Sequence, residues 1–332
     1  MTNDKTIGIG LLLYPGVQMS AVLSMTDLFL IVERVSPGAQ LQVSHWQQEE
    51  GEAAPVRVFQ SGGSSPSAPA VIILPPSLTQ PPSPDTAAPL RDWLNQRHAE
   101  GTILASVCAG AFVLAETGLL KGRPATTHWS YADAFRVRFP DVRMEIDRLL
   151  IDDGPVVTAG GLMSWTDLCL RLVERLCGPE VMVRAARFLL LDPPGREQRY
   201  YSTFAPRTSH GDAQIAKVQD LLHAAEGRDV PLEVLISASG LERRTFLRRF
   251  RKATGMTSSE YIQRLRIRKA CELLQFRRDP IEQVAWDSGY ADPAAFRRVF
   301  ARFIGLTPGE YRRRFATSGS QVHKFTDYER LA

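Results

Sequence analysis

Short, largely apolar runs separated by longer amphipathic stretches fill the first 190 residues of the chain. Residues 7–14, 41–46, 71–74, 102–107 and 156–158 have the length and aliphatic content of strands buried on both faces. Residues 21–35, 90–98, 109–117, 130–139, 164–177 and 179–190 read as helices. This alternation predicts an α/β fold, a flavodoxin-like and mainly parallel sheet with helices on both faces. Residues 61–69 and 75–89 are Pro/Ser-rich loops flanking the 71–74 strand. The expected limits are a first domain over 5–190, a polar linker over 191–212, an all-α domain over 213–316 and a loose tail over 317–332.

From residue 213 the rhythm becomes helical and then repeats. Ser239-Gly240-Leu241, Phe246, Arg248, Phe250, Gly255, Thr257 and Glu260-Tyr261 return as Ser288-Gly289-Tyr290, Phe296, Arg298, Phe300, Gly305, Thr307 and Glu310-Tyr311. The offset is 49 before the phenylalanines and 50 from them onward, so one copy has an extra residue in its turn. One supersecondary unit used twice, with glycine where a sharp helix–helix turn demands positive φ, predicts two helix-turn-helix motifs.

In the first motif residues 232–238 support and 243–253 read. Phe246 and Phe250, four apart, face inward and leave Arg243, Arg244, Leu247, Arg248 and Arg251 outside. In the second, residues 281–287 support, Asp292 caps and Pro293 opens the reading helix. There Phe296 and Phe300 face inward, while Ala294, Arg297 and Arg298 face a groove. A long helix over 258–275 would fix the spacing of the two reading helices. One chain could then engage successive major grooves, about 34 Å apart.

Charge sharpens this picture. Residues 213–316 hold 20 Lys+Arg, 17 of them Arg, against 12 Asp+Glu, hence +8; the whole chain is +4, so the remainder sums to −4. A basic end on a slightly acidic body points to double-stranded DNA as the partner of the C-terminal third, with arginine suited to phosphate and guanine. The chain has 332 residues, 44% of them hydrophobic and 23% charged, as expected of two globular domains. The run over 7–14 is too short to cross a membrane. Four cysteines without a CxxC pair and six scattered histidines suggest no metal, no cofactor and a reducing cytoplasm.

Residues 213–316 closely resemble the AraC/XylS DNA-binding domain, above all in IEQVAWDSGYADPAAFRRVFARFIGLTPGEY over 281–311. The resemblance implies seven helices, promoter binding and communication with RNA polymerase. By position in the motif, Arg244, Leu247 and Arg248, then Ala294, Arg297 and Arg298, match the family's base-facing places. Glu242 departs from the pattern, standing where the family often has a serine cap.

In the first domain a strand ends in Cys108-Ala109-Gly110 and a helix follows, the layout of a nucleophile elbow. His128 lies twenty residues on, so Cys108 and His128 could be nucleophile and base. The plainer reading is a small buried cysteine at a tight turn. Residues 105–129, ASVCAGAFVLAETGLLKGRPATTHW, with 158–174, TAGGLMSWTDLCLRLVE, resemble the ThiJ/PfpI group of glutamine-amidotransferase-like domains. The whole chain resembles the GlxA-type transcriptional regulators, which join the two domains.

Against the ThiJ/PfpI pattern the acidic position of the first helix is Ser20, with Asp27 two turns on, and Pro75-Pro76-Ser77 replaces Pro-Gly-Gly. Pro76 has no N–H to give an oxyanion, though Ser77 can still donate. Cys108 and His128 are therefore expected as vestiges in a sensor pocket, not as catalytic residues. The expected effector-binding residues are Ser20, Ser77, Cys108, Ala109, His128, Trp129, Gly160, Gly161 and Trp165, at the carboxyl ends of the strands. The two tryptophans could instead be core aromatics, and Asp27 and Asp167 could cap or pair structurally. If both tryptophans face the pocket, they suit a quaternary amine or other nitrogen-rich metabolite. The expected function is an effector-controlled, homodimeric DNA-binding regulator, an activator; the alternative is a cysteine hydrolase or hydratase with a DNA tether.

Overall fold

The computed structural model describes residues 6–316 apart from 37, 53, 63–67, 202, 203, 205, 207, 209 and 229. The tail over 317–332, the centre of the 61–69 loop and part of the 191–212 linker thus lie outside the described residues. The chain divides into two units, Met1–Gln198 and Arg199–Ala332.

The first unit is built on β1 (Ile7–Leu13), β2 (Leu41–Gln47), β3 (Val56–Gln60), β4 (Val71–Leu74), β5 (Ile103–Val107), β6 (Pro124–Ala125), β7 (Arg143–Met144), β8 (Leu150–Asp153) and β9 (Val156–Ala159). The main sheet runs β3-β2-β1-β4-β5-β9-β8. Its five central strands are parallel, and β3 and β8 join the edges antiparallel. The helices are α1 (Met19–Val35), α2 (Pro84–Ala99), α3 (Gly110–Glu116), α4 (Ala132–Arg138), α5 (Trp165–Cys177) and α6 (Pro179–Leu189).

Period-two alternation sorts the strand side chains to two cores. Val71 and Ile73 join residues of α1, α5 and α6 on one face. Ile72 and Leu74 join residues of α2, α3 and α4 on the other. This is the expected α/β architecture, with the strand order reversing between β1 and β4. Ligands bind such sheets at the carboxyl ends beside that reversal.

Three expectations need correction. The 75–89 loop ends early, because Ser83 accepts a hydrogen bond from the Thr86 N–H and Pro84 opens α2 in its first turn. The edge strands β3 and β8 were not expected. The third correction concerns the linker. Its first part belongs to the α/β unit, where Arg196 pairs with the buried Asp167, Glu197 bridges to Arg148 and Gln198 is buried. Its later part belongs to the helical unit. There Tyr201 stacks edge-on against Phe315, Phe204 against Tyr261, and Asp212 caps the next helix.

The second unit comprises α7 (Ala213–Ala224), α8 (Leu232–Ser239), α9 (Arg243–Thr254), α10 (Ser258–Phe276), α11 (Ile281–Asp287), α12 (Pro293–Ile304) and α13 (Pro308–Phe315). Each motif has its own core. Phe246, Phe250 and Tyr261 pack with Ile215, Val218 and Leu235 in one; Phe296, Phe300 and Tyr311 pack with Leu274 and Val284 in the other. The turns pass through Gly240 at φ +64° and Gly289 at φ +82°. α10 contributes to both cores and so ties the motifs together. Among the described residues no helix is long and apolar enough to cross a membrane.

Candidate functional site

Two sites follow from these elements, a recess at the end of the sheet and an arginine-bearing surface on α9 and α12. At the recess, β5 delivers Cys108 in the left-handed region, φ +54°, an uncommon conformation for a non-glycine residue. Its N–H donates to the Ala159 carbonyl at 2.8 Å, and its carbonyl accepts from Thr127 Oγ1 at 2.7 Å. The following Gly110 is sterically required, since a Cβ there would run into the Leu74 and Pro75 carbonyl oxygens. The elbow is therefore locked from both sides.

Cys108, His128, Tyr131 and Ser77, with Ser130, Leu78 and Leu162, line an open recess of about 160 Å³. Burial pushes the Cys108 thiol up to about 12, although the Ala109 N–H opposes the rise. Burial also lowers the His128 pKa, so both groups are neutral at pH 7. The Ser130 N–H donates to His128 Nδ1 at 3.2 Å, and the Ser130 hydroxyl lies 2.7 Å from the same atom. An accepting Nδ1 puts the ring proton on Nε2. A general base for Cys108 would need a free lone pair and, as a rule, a further group such as a carboxylate to orient it. Here the lone pair is engaged by Ser130, and no carboxylate lines the recess.

The nine effector positions expected from sequence separate accordingly. Ser77, Cys108 and His128 line the recess. Ala109 contributes its N–H to the thiol but not a wall. Ser20 is exposed and accepts from Gln18 Nε2 at 3.1 Å, and Asp27 is exposed as well. Trp165 packs against the core under α5. Trp129 lies beside the His128 ring, centroids 5.3 Å apart, outside the lining. Gly161 accepts from the Ser164 hydroxyl at 2.5 Å. The Ser77 hydroxyl donates to the Gly16 carbonyl at 2.8 Å.

Gly160 serves a residue that sequence reasoning missed. A Cβ there would stand 2.6 Å from Gln198 Oε1. Gln198, 2% exposed, accepts from the Trp129 N–H at 3.2 Å and donates to the Thr127 carbonyl at 3.0 Å and the Ile146 carbonyl at 2.7 Å. It pins the segment that carries His128. Tyr131 was missed too, although it stands only three residues beyond His128.

On the second surface Phe246, Phe250, Phe296 and Phe300 are fully buried, and their outward neighbours are exposed. Arg243, Arg244, Leu247, Arg248 and Arg251 lie outside on α9, and Ala294, Arg297 and Arg298 on α12. Among the described residues Arg244, Arg248, Arg251 and Arg298 have no carboxylate within ion-pair distance. Arg243 stands 3.9 Å from Glu233, and Arg297 is paired with Glu282. Other arginines are structural: Arg249 makes a two-pronged pair with Asp212 at 2.9 and 2.7 Å, and Arg266 donates to the Gly227 carbonyl.

The helix-turn-helix domain family matches residues 235–314, and the DJ-1/PfpI family matches residues 51–175. The chain therefore joins a DJ-1/PfpI domain to an AraC-type helix-turn-helix domain. It is 31% identical over 234 residues to the HTH-type transcriptional regulator CdhR of Pseudomonas aeruginosa, spanning 70% of this chain and 66% of that protein. It is 29% identical over 217 residues to the HTH-type transcriptional regulator GlxA of Rhizobium meliloti, spanning 64% and 66%. The matched stretch thus covers just under two thirds of each regulator. Isonitrile hydratase of Pseudomonas putida is 34% identical over 88 residues, 26% of this chain and 37% of the hydratase.

Proposed function

We propose that the protein is a bacterial, cytoplasmic, sequence-specific transcription regulator, an activator, that holds promoter DNA with α9 and α12. The α/β unit senses a small molecule in the recess beside Cys108. The observation that carries this reading is the doubled motif itself, with arginines free of carboxylates on the outer face of both reading helices. Such residues can pair with guanine edges or set register on phosphates. Dimerisation through the α/β unit and contact with RNA polymerase belong to the same proposal, as does operation without a cofactor. The similarity to two named regulators supports it.

Gln198 gives the sensor a physical route to its output. It is bonded to the backbone on either side of His128 and is the last residue of the α/β unit, one peptide bond ahead of the helical unit. An effector that favours one placement of the 127–129 backbone biases those hydrogen bonds. It acts only to the extent that it prefers one arrangement over the other. Selection of bound fragments from genomic DNA tests the proposal. The expected product is a motif with two half-sites about 10–10.5 base pairs apart. Fragments without a common motif would sink it.

A second reading, a cysteine hydrolase or hydratase tethered to DNA, draws on the strained elbow at Cys108 and the likeness to isonitrile hydratase. The neutral thiol and the engaged His128 Nδ1 favour the sensor. Cys108→Ser separates the two. Loss of effector response without any turnover in the parent supports the sensor, and loss of a measured turnover supports the enzyme.

A further inference from the structure

The chemistry of the recess wall narrows what it can hold. None of its lining residues is Asp, Glu, Lys or Arg, and neither Trp129 nor Trp165 reaches it. The aromatic box that a quaternary amine would need is absent from this lining, and so is a counter-charge for an anion. The polar groups offer hydrogen bonds. Ser130 occupies Nδ1 of His128 and leaves Nε2–H for a ligand, and Tyr131 adds its phenol hydroxyl to the lining. Leu78 and Leu162 supply the apolar part of the wall. The volume of about 160 Å³ resembles cavities that hold a molecule of benzene's size.

From this juxtaposition we infer that the recess takes a small uncharged ligand, of about six heavy atoms, pairing a carbonyl acceptor with a compact apolar group, as in a branched aliphatic amide or ketone. The carbonyl oxygen accepts from Tyr131 and His128. The alkyl group lies against Leu78 and Leu162. In an amide the N–H₂ can donate to Ser130 Oγ, whose own proton serves His128. A charged group of the same size would give up hydration and meet no opposite charge. The inference rests on the sensor reading and gives it a ligand class.

The test uses the full chain and four probes, isobutyramide, isobutyrate, tetramethylammonium and glycine betaine, with saturable binding read by ligand-observed NMR. The expected result is isobutyramide binding in the millimolar range usual for so few atoms, about tenfold tighter than any charged probe. Leu162→Trp fills the recess and should abolish that binding. Tyr131→Phe, which keeps the ring, should weaken it about threefold to tenfold through one lost hydrogen bond. Unchanged melting of both variants shows that the fold is intact. Equal or tighter binding of a charged probe overturns the inference. So does amide binding indifferent to both variants, or no saturable amide binding. Discrimination of selected from random DNA by the same preparation is a separate readout. If it fails while the amide binds, the regulator reading fails alone; if it persists without amide binding, only the ligand class fails.

Discussion

The two helix-turn-helix motifs share a scaffold and differ in what they show to solvent. Phe246 and Phe296, Phe250 and Phe300, and Tyr261 and Tyr311 occupy equivalent buried places and build two separate cores. At the outer positions Arg244 is matched by Ala294 and Leu247 by Arg297, and only Arg248 and Arg298 agree. Asp292 caps α12 with bonds from the Ala294 and Ala295 N–H groups, whereas Glu242 makes no side-chain cap on α9. Thr307 and Glu310 form a complete capping box at α13. At α10 only Thr257 caps, because Glu260 turns to Arg264 instead. Repetition here preserves packing, and divergence falls on the outer faces of the helices.

The strongest way to break this comparison is to remove a core ring. Phe246→Ala and Phe296→Ala should each cost about 3–5 kcal/mol of stability. Hydrogen exchange should locate the loss in the mutated motif, and equal loss across both would contradict separate cores. Next come Arg248→Ala and Arg298→Ala, each expected to cost about 1–3 kcal/mol of sequence-specific binding if its guanidinium pairs with guanine. Equal weakening on random duplex would reduce that residue to a phosphate contact. The caps rank third. Asp292→Ala should lower stability by about 1 kcal/mol, and Glu242→Ser should raise it by up to that amount, both read by denaturant melts. The smallest effect belongs to Glu282→Gln, which frees Arg297 and removes a carboxylate from beside it. Affinity should rise less than about threefold, and a large fall would mean that Glu282 orients Arg297 for binding.

Acid should mimic that last change. The Glu282 carboxyl is held below its ordinary value by its own backbone N–H and then by Arg297. The pair is therefore intact above the usual carboxylate range and lost as pH falls through the depressed pKa.

How much could be read in advance depended on whether a residue's partners lie close in sequence. The parallel strands announce themselves because burial on both faces favours short, largely apolar runs, β2 with its buried Gln42, Ser44 and His45 being the weakest of them. The motifs do so because two cores demand the same rings at the same spacing. The edge strands β3 and β8 do not, since one open side permits polar residues such as Arg57 and Asp152. The helical start at Pro84 was masked by prolines that usually signal a loop.

The elbow at Cys108 was visible as a strand–Cys–Gly–helix junction. Its surroundings were not, because the recess gathers Ser77, Cys108, Tyr131 and Leu162 from four separate segments. Trp129 and Trp165 drew attention by their size, yet large aromatics are more often packed than exposed to ligand. Gln198 was hidden inside a polar, Pro/Gly-bearing stretch whose composition suggests a linker. Only the tertiary fold shows that its amide replaces backbone pairing around His128.

The central claim, that the two motifs read a DNA sequence together, is tested most directly by competition at fixed salt between a selected genomic site and random duplex. The account predicts that the full chain prefers the selected site by about a thousandfold or more, and that Arg248→Ala and Arg298→Ala each erode this preference. A preference near unity, with affinity governed by salt alone, would contradict it.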